Sequence, residues 1–210
     1  ISYRHNPEFT LLESYEAYAD YNDVAKMVKE LIIHAAQQVI GSTSIDNGEH
    51  TIELDKEWAK YTYVEALKKY TGIDYINVHN LKDLTDQVKK IGLEIDLNNS
   101  QAIILDELMK KYVEPQLIQP TFIFDYPTEI SPLAKKIKNN EKFVERFELF
   151  FLGYEFANAY SELNDPVDQR IRMIEQAGKT EEKEEEIELI DEDFVEALEY
   201  GMPPAGGLGL

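Results

Sequence analysis

The sequence contains no cysteine, so disulfides and thiolate metal sites are excluded, and no thiol nucleophile is available. Positive charge is scarce: 21 Lys and Arg face 41 Asp and Glu, a formal net charge of −20. Phosphate contacts need cations to displace counterions, so that balance by itself argues against a nucleic-acid-binding surface. No apolar run approaches the roughly 20 residues needed to span a bilayer. The chain starts at Ile1 without a basic-plus-apolar leader, so no signal peptide is expected, and the lack of cysteine suits a cytoplasmic location. There is no Gly-Lys-Ser/Thr phosphate loop and no Gly-x-Ser-x-Gly elbow. His34, His50 and His79 have no neighbours at metal-ligand spacing and are read as structural, and Trp58 is read as core packing.

What is present suffices for a folded domain. Hydrophobic residues make up 43% of 210 positions, enough to bury a sizeable core. Phe9 to Ala19 alternates as a strand, with Phe9, Glu13 and Tyr15 on one face. Asn22 or Asp23 is expected to cap a helix with the apolar stripe Val24, Met27, Val28, Leu31, Ile32 and Ala35, stopped at Gly41. Thr51 to Leu54 reads as a short strand. From Trp58 to Tyr112 the pattern is helical, broken at Gly72, Gly92 and Asn98-Asn99, as in an insertion packed beside a sheet. Strands return at Thr121–Phe124. Arg146–Phe151 and Tyr154–Glu162 read as a hairpin turning at Leu152-Gly153. Asp165-Pro166 opens a helix, 181–193 is strongly acidic and reads as a solvated face or connector, and Gly206–Leu210 reads as a strand cut off at its start. The chain is therefore expected to be a piece of a longer protein.

Three constellations could carry chemistry. Phe9, Glu13 and Tyr15 place an aromatic, a carboxylate and a phenol together, able to stack a base and hold an ammonium group. The alternative is an ordinary sheet face with Phe9 in the core. With a two-residue turn, Phe150 is expected to face Glu155 and Glu148 to face Ala157. Glu148 and Glu155 then become diagonal neighbours, suited to a hard divalent cation completed by substrate phosphates. Two solvent-facing acids remain the alternative. Asn158, Tyr160 and Glu162 have the opposite parity to Glu155, so one common site requires a bulge near Ala157. Gly201 to Gly209 is glycine-rich, which permits close approach of a ligand to the backbone but is weak evidence alone.

The segments His5-Asn6-Pro7-Glu8-Phe9-Thr10 and Glu13-Ser14-Tyr15-Glu16-Ala17-Tyr18-Ala19-Asp20-Tyr21 closely resemble the second signature motif of lysine–tRNA ligases and the strand after it. Leu117–Phe122, Ser131–Ala134, Arg146-Phe147-Glu148, Asn158–Pro166 and Ala197–Pro204 continue the likeness in order. The resemblance implies an α+β fold, the class II aminoacyl-tRNA synthetase core: an antiparallel sheet flanked by helices, with a small helical insertion. It divides the chain into a first core part (1–56), the insertion (57–116) and a second core part (117–210). It implies ATP contacts from His5, Asn6, Phe9, Glu148 and Glu155, with Mg²⁺ held by Glu148 and Glu155. The lysine pocket it implies comprises Glu13, Tyr15, Asn158, Tyr160, Glu162, Gly207 and Gly209, with Glu162 partnering the ε-ammonium. No residue acts as a covalent catalyst in such a scheme.

The implied activity is formation of lysyl-adenylate from L-lysine and ATP, followed by transfer of lysine to its tRNA. The arginines that grip ATP in the family's second and third motifs fall outside this sequence, as do the first motif of the homodimer interface and the N-terminal anticodon-binding barrel. The 210 residues alone are thus expected not to activate lysine, and tRNA contacts are assigned mainly to the barrel. No membrane partner is expected. The alternatives are a paralogue that lysylates a protein, such as an elongation factor, and a non-catalytic binding module.

Overall fold

A computed structural model describes residues 7–180 and 191–210. Its frame is a seven-stranded sheet. The path across it runs β1 (Glu13–Ala17), β9 (Ala205–Gly209), β8 (Tyr154–Ser161), β7 (Asn140–Phe151), β5 (Thr121–Pro127) and β4 (Ala59–Thr62). A short β6 (Lys136–Ile137) pairs with β7, while β2 (Ser44–Asp46) and β3 (Thr51–Glu53) form a separate hairpin. Every pair is antiparallel except β4 with β5. The sheet with its helices is the α+β architecture expected from the sequence.

The strand expected over Phe9–Ala19 is shorter, running from Glu13 to Ala17. Tyr18 adopts φ 64° and turns the chain out of the sheet, and Asp20 caps α1 (Tyr21–Val39). Asp20 accepts from the backbone of Asn22 and Asp23, while the Asp23 side chain accepts from the backbone of Asp20. The cap therefore lies ahead of the Asn22 or Asp23 expected, because the N3 position that completes the capping box is itself an acid. Of the anticipated stripe, Val24 and Val28 are buried, Ala25 and Ala36 join them, and Ala35 is exposed.

The helical region expected from Trp58 instead begins with strand β4, which docks in parallel against β5. Trp58 itself is buried against Phe122 and Phe151, with ring centroids 5.5 and 5.4 Å away. Helices α2 (Tyr63–Thr71), α3 (Leu81–Ile91) and α4 (Gln101–Leu108) follow, and a π-helical turn continues α4 over Met109–Val113. Thr62 and Glu65 form the capping box of α2, and Gly72 ends it in the left-handed conformation that glycine adopts without a Cβ penalty. Helix α5 (Pro166–Thr180) starts at Pro166, and α6 (Glu192–Glu199) leads into β9. The acidic stretch 181–190 lies outside the described residues. Among those described, no helix is long and apolar enough to cross a membrane.

Two cores cover different parts of the sheet. On one face Val24 and Val28 of α1 pack with Phe122, Phe147, Leu149, Ala157, Ala159 and Leu208. On the other, Tyr63, Leu67, Leu105 and Leu108 from the helical region cover Ile123, Val144 and Phe150. That cover extends over β5 and the middle of β7 and leaves the β8–β9–β1 end of the same face open. Each fully buried large side chain contributes about 1.5–3 kcal/mol.

Candidate functional site

The open end of the face is built from two cross-strand rows. Glu13 pairs with Gly209, Gly209 with Asn158 and Asn158 with Glu148; alongside, Tyr15 pairs with Gly207, Gly207 with Tyr160 and Tyr160 with Arg146. Directly opposed residues share a sheet face, so the side chains of both rows rise together. The glycines of β9 contribute no side chain between the walls, which leaves a trough. That trough is a cavity of 190 Å³ lined by Glu13, Tyr15, Asn158, Tyr160, Glu162, Gly207, Leu208 and Gly209. All seven residues that the resemblance assigned to lysine thus meet in one place.

An added Cβ at Gly207 would land on Glu162 Oε1 and lie 3.1 Å from Tyr15 Cε1, so any side chain there displaces the Glu162 carboxylate. The Glu162 carboxylate therefore leans across the floor of the trough. Its neighbour Gly206 faces the other way, where a Cβ would sit 2.5 Å from Val24 Cγ2.

The trough is acidic, and none of the described residues that line it is basic. Burial pushes Glu162 up to about 7, and no basic side chain pairs with it among the described residues. Tyr15 Oη lies 3.5 Å from Glu13 Oε2, and its ionisation is pushed up by burial, then by Glu13 and Glu162. Burial and the Glu162 carboxylate also raise Tyr160. Both phenols therefore stay neutral and able to donate. A carboxylate held at such a position is stabilised by a cation that brings hydrogen-bond donors.

A second cluster adjoins the first. Glu148 accepts from Arg146 Nη2 at 2.5 Å through one oxygen and from Tyr126 Oη at 2.6 Å through the other. Arg146 also donates from Nε to Asn158 Oδ1 at 3.0 Å. Glu155 reaches the same face through a bulge. Phe150 pairs with Glu155, as expected from the turn, but the next residue back, Leu149, pairs with Ala157, so Phe156 is an extra residue in β8. Glu148 consequently faces Asn158 and not the Ala157 expected from unbroken alternation. The turn itself has Leu152 at φ 54° and Gly153 at φ 75°, the two positive angles of a tight hairpin. Burial and the Glu148 carboxylate raise Glu155, while Arg146 and a hydrogen bond from Asn158 partly oppose them. A second register shift, between Phe124 and Tyr126 with Asp125 at φ 60°, turns Tyr126 toward Glu148.

Phe9 lies outside β1 and is 78% exposed, which excludes the core role left open for it. It lines a 410 Å³ cavity with Thr10, Leu11, Glu155, Phe156, Ala157, Asn158, Gly209 and Leu210. This cavity shares Asn158 and Gly209 with the acidic trough. His5 and Asn6 lie outside the described residues. His34, His50 and His79 are exposed, and among the described residues no group of three or more acidic or imidazole side chains is placed to hold a metal by itself. Two contributors escaped the sequence reading: Arg146 and Tyr126. Arg146 stands two residues before Glu148 in the same strand, which was a usable signal, whereas Tyr126 reaches the site only because of the irregularity at Asp125.

A sequence model of the class II tRNA synthetases (D, K and N) matches residues 1–210, the entire chain. The chain belongs to this family. Among curated relatives, the lysine–tRNA ligase of Oceanobacillus iheyensis is 49% identical over 210 residues, covering 100% of this chain and 43% of that protein. The lysine–tRNA ligases of Halalkalibacterium halodurans and Staphylococcus epidermidis are 47% and 48% identical, each over 100% of this chain and 42% of their own length. The chain thus spans less than half of the relatives it matches. As a member of this family it has the fold expected, with the trough and the paired glutamates on the uncovered end of its sheet.

Proposed function

We propose that this chain forms the lysine- and ATP-binding part of a lysine–tRNA ligase. The observation that carries the reading is Glu162, a half-buried carboxylate pushed up to about 7, without a basic partner among the described residues, at the floor of a narrow acidic trough. The ε-ammonium of lysine supplies the missing charge and three donors, with the neutral phenols of Tyr15 and Tyr160 beside it. An uncharged amino acid would leave the carboxylate buried and unpaired, which supports discrimination of several kcal/mol.

With the ammonium anchored, the lysine α-carboxylate extends toward the cavity shared by Phe9, Glu155 and Asn158. There its oxygen attacks the α-phosphorus of ATP. The new O–P bond forms as the bond to the β-phosphate oxygen breaks, and pyrophosphate leaves with that electron pair. A tRNA ribose hydroxyl then takes the lysyl group and AMP departs. Because the attacking carboxylate is already ionised, positioning and charge neutralisation carry the reaction. Phe9 presents an exposed ring for the adenine, and His5 and Asn6 are assigned to ATP on the strength of the resemblance.

Glu148 and Glu155 fit Mg²⁺ as two hard oxygen donors brought to one face by the bulge at Phe156 and completed by phosphates. Mg²⁺ bound there would neutralise phosphate charge. The tRNA and dimer contacts are assigned to the rest of the protein, acting in the cytoplasm, in keeping with the −20 charge of this part.

The test is lysine-dependent ATP–pyrophosphate exchange by the full-length protein. Glu162→Gln is expected to weaken lysine binding by about 3 kcal/mol, roughly 100-fold in KM, with thermal stability maintained or raised. A lysine KM within twofold of wild type would exclude Glu162 as the ammonium partner.

A further inference from the structure

Arg146 links the two halves of the site. Its Nη2 donates to Glu148 at 2.5 Å and its Nε to Asn158 Oδ1 at 3.0 Å, while Nη1 donates to the Ile130 carbonyl at 2.9 Å and to Ser131 Oγ at 2.8 Å. The guanidinium carbon lies 4.7 Å from the centre of the Tyr126 ring, and the Tyr126 hydroxyl occupies the other oxygen of Glu148. The side chains of Arg146 and Glu148 are 15% and 13% exposed. This fork is pinned from below by Ile130 and Ser131 and directs its two remaining edges at one residue from each subsite.

The consequence for Asn158 is directional. With its oxygen committed to Arg146, its amide nitrogen is the group left to donate. Arg146 thus orients Glu148 directly and also holds Asn158, a residue that walls the acidic trough. Resting on the reading given under Proposed function, we infer that Arg146 is the positioning residue that sets Glu148 for a phosphate-bound divalent cation and, through Asn158, couples its placement to the amino-acid trough. Only a planar fork can donate to all four acceptors at these angles; a lysine ammonium retains the charge with three donors from a single nitrogen.

Partners behind metal ligands typically change metal affinity or activity by about 10- to 100-fold. In full-length protein, Arg146→Lys is therefore expected to raise by about 10-fold the Mg²⁺ concentration giving half-maximal exchange, and likewise the Mg²⁺ concentration giving half-maximal retention of ATP in equilibrium dialysis, and to raise the lysine KM in parallel. Tyr126→Phe removes only the second partner of Glu148. It is expected to shift the Mg²⁺ dependence about threefold or more and leave the lysine KM unchanged. A merely structural role would lower the unfolding temperature and the active fraction without moving either midpoint. The inference is overturned if Arg146→Lys leaves both midpoints within twofold of wild type, or moves one alone. If Arg146→Lys does not fold, Tyr126→Phe decides: a Mg²⁺ shift at constant lysine KM supports the inference, and its absence or a matching lysine shift overturns it. Absence of lysine-dependent exchange in the wild-type protein would instead refute the functional reading itself.

Discussion

The two faces of the sheet are made by the same strands, yet they perform opposite tasks. Phe147, Leu149, Ala157, Ala159 and Leu208 point to the α1 side and are buried with almost no polar content. One residue along in each strand, Arg146, Glu148, Asn158, Tyr160, Gly207 and Gly209 point the other way and form the acidic trough and the glutamate pair. The packed face fixes the strand register. The open face then inherits side-chain positions set to within the regularity of the pleat. Polar groups on the open face add little stability, and Glu162 opposes it, so stability comes from one side and recognition from the other.

The strongest way to break this division is to put a charge on the packed face. Ala159→Glu, one residue along from Asn158 and Tyr160, buries a carboxylate without a partner among Phe147, Leu149 and Leu208. It is expected to cost about 3 kcal/mol in denaturant unfolding of the full-length protein. Unchanged stability would show that the packed face tolerates the chemistry of the open one.

A subtler intervention leaves both faces assigned but fills the trough. Gly207→Ala places a methyl where Glu162 Oε1 lies and 3.1 Å from Tyr15 Cε1. Glu162 must rotate away from the floor, so lysine affinity in calorimetry is expected to fall by about 10- to 100-fold, the scale of a misplaced charged hydrogen bond. Stability should change far less. The matching Gly206→Ala reverses the pattern, because its methyl meets Val24 and the Asp20 carbonyl on the packed side, and overpacking costs about 1–3 kcal/mol. If both substitutions act alike, the two faces are not functionally separate.

How much of this was readable in advance follows the same division. The hairpin, its turn at Leu152-Gly153 and the α1 stripe around Val24 and Val28 were visible because period-2 and period-3.6 patterns report burial directly. The conflict in parity between Glu155 and Asn158 was also visible, and it required an irregularity near Ala157; the structure has the extra residue at Phe156. Three features were not visible. Strand β4 is only four residues long and sits before a helix, so its alternation is too brief to outweigh the helical pattern that follows. The cap at Asp20 was hidden by Asn22 and Asp23, either of which is an acceptable cap residue until the turn at Tyr18 is known. Tyr126 could not be assigned to the site, since its face depends on the conformation of Asp125 and not on sequence parity. The identities of the trough residues came from the likeness to lysine–tRNA ligases; composition, with its −20 charge, pointed away from any partner made of nucleic acid.

The smallest expected effect is a dependence on pH, and it separates the faces without any mutation. Burial raises Glu162 from 4.5 to about 7, so the folded protein holds that proton more tightly than the unfolded chain. The resulting stability is fully present below 4.5 and is lost as pH rises toward 7. Lysine binding has the opposite slope. Only the ionised carboxylate pairs with the ammonium, which stays protonated throughout because its pKa is about 10.4. Below pH 7 binding must therefore expel a proton, and affinity should improve by at most about tenfold per pH unit before levelling off above 7. Calorimetry in buffers of different ionisation enthalpy at pH 6 should detect release approaching one proton per lysine, falling toward zero at pH 8. Glu162→Gln should abolish the release while leaving the packed face intact. Proton release that persists in that variant would mean that another group in the trough accepts the ammonium charge.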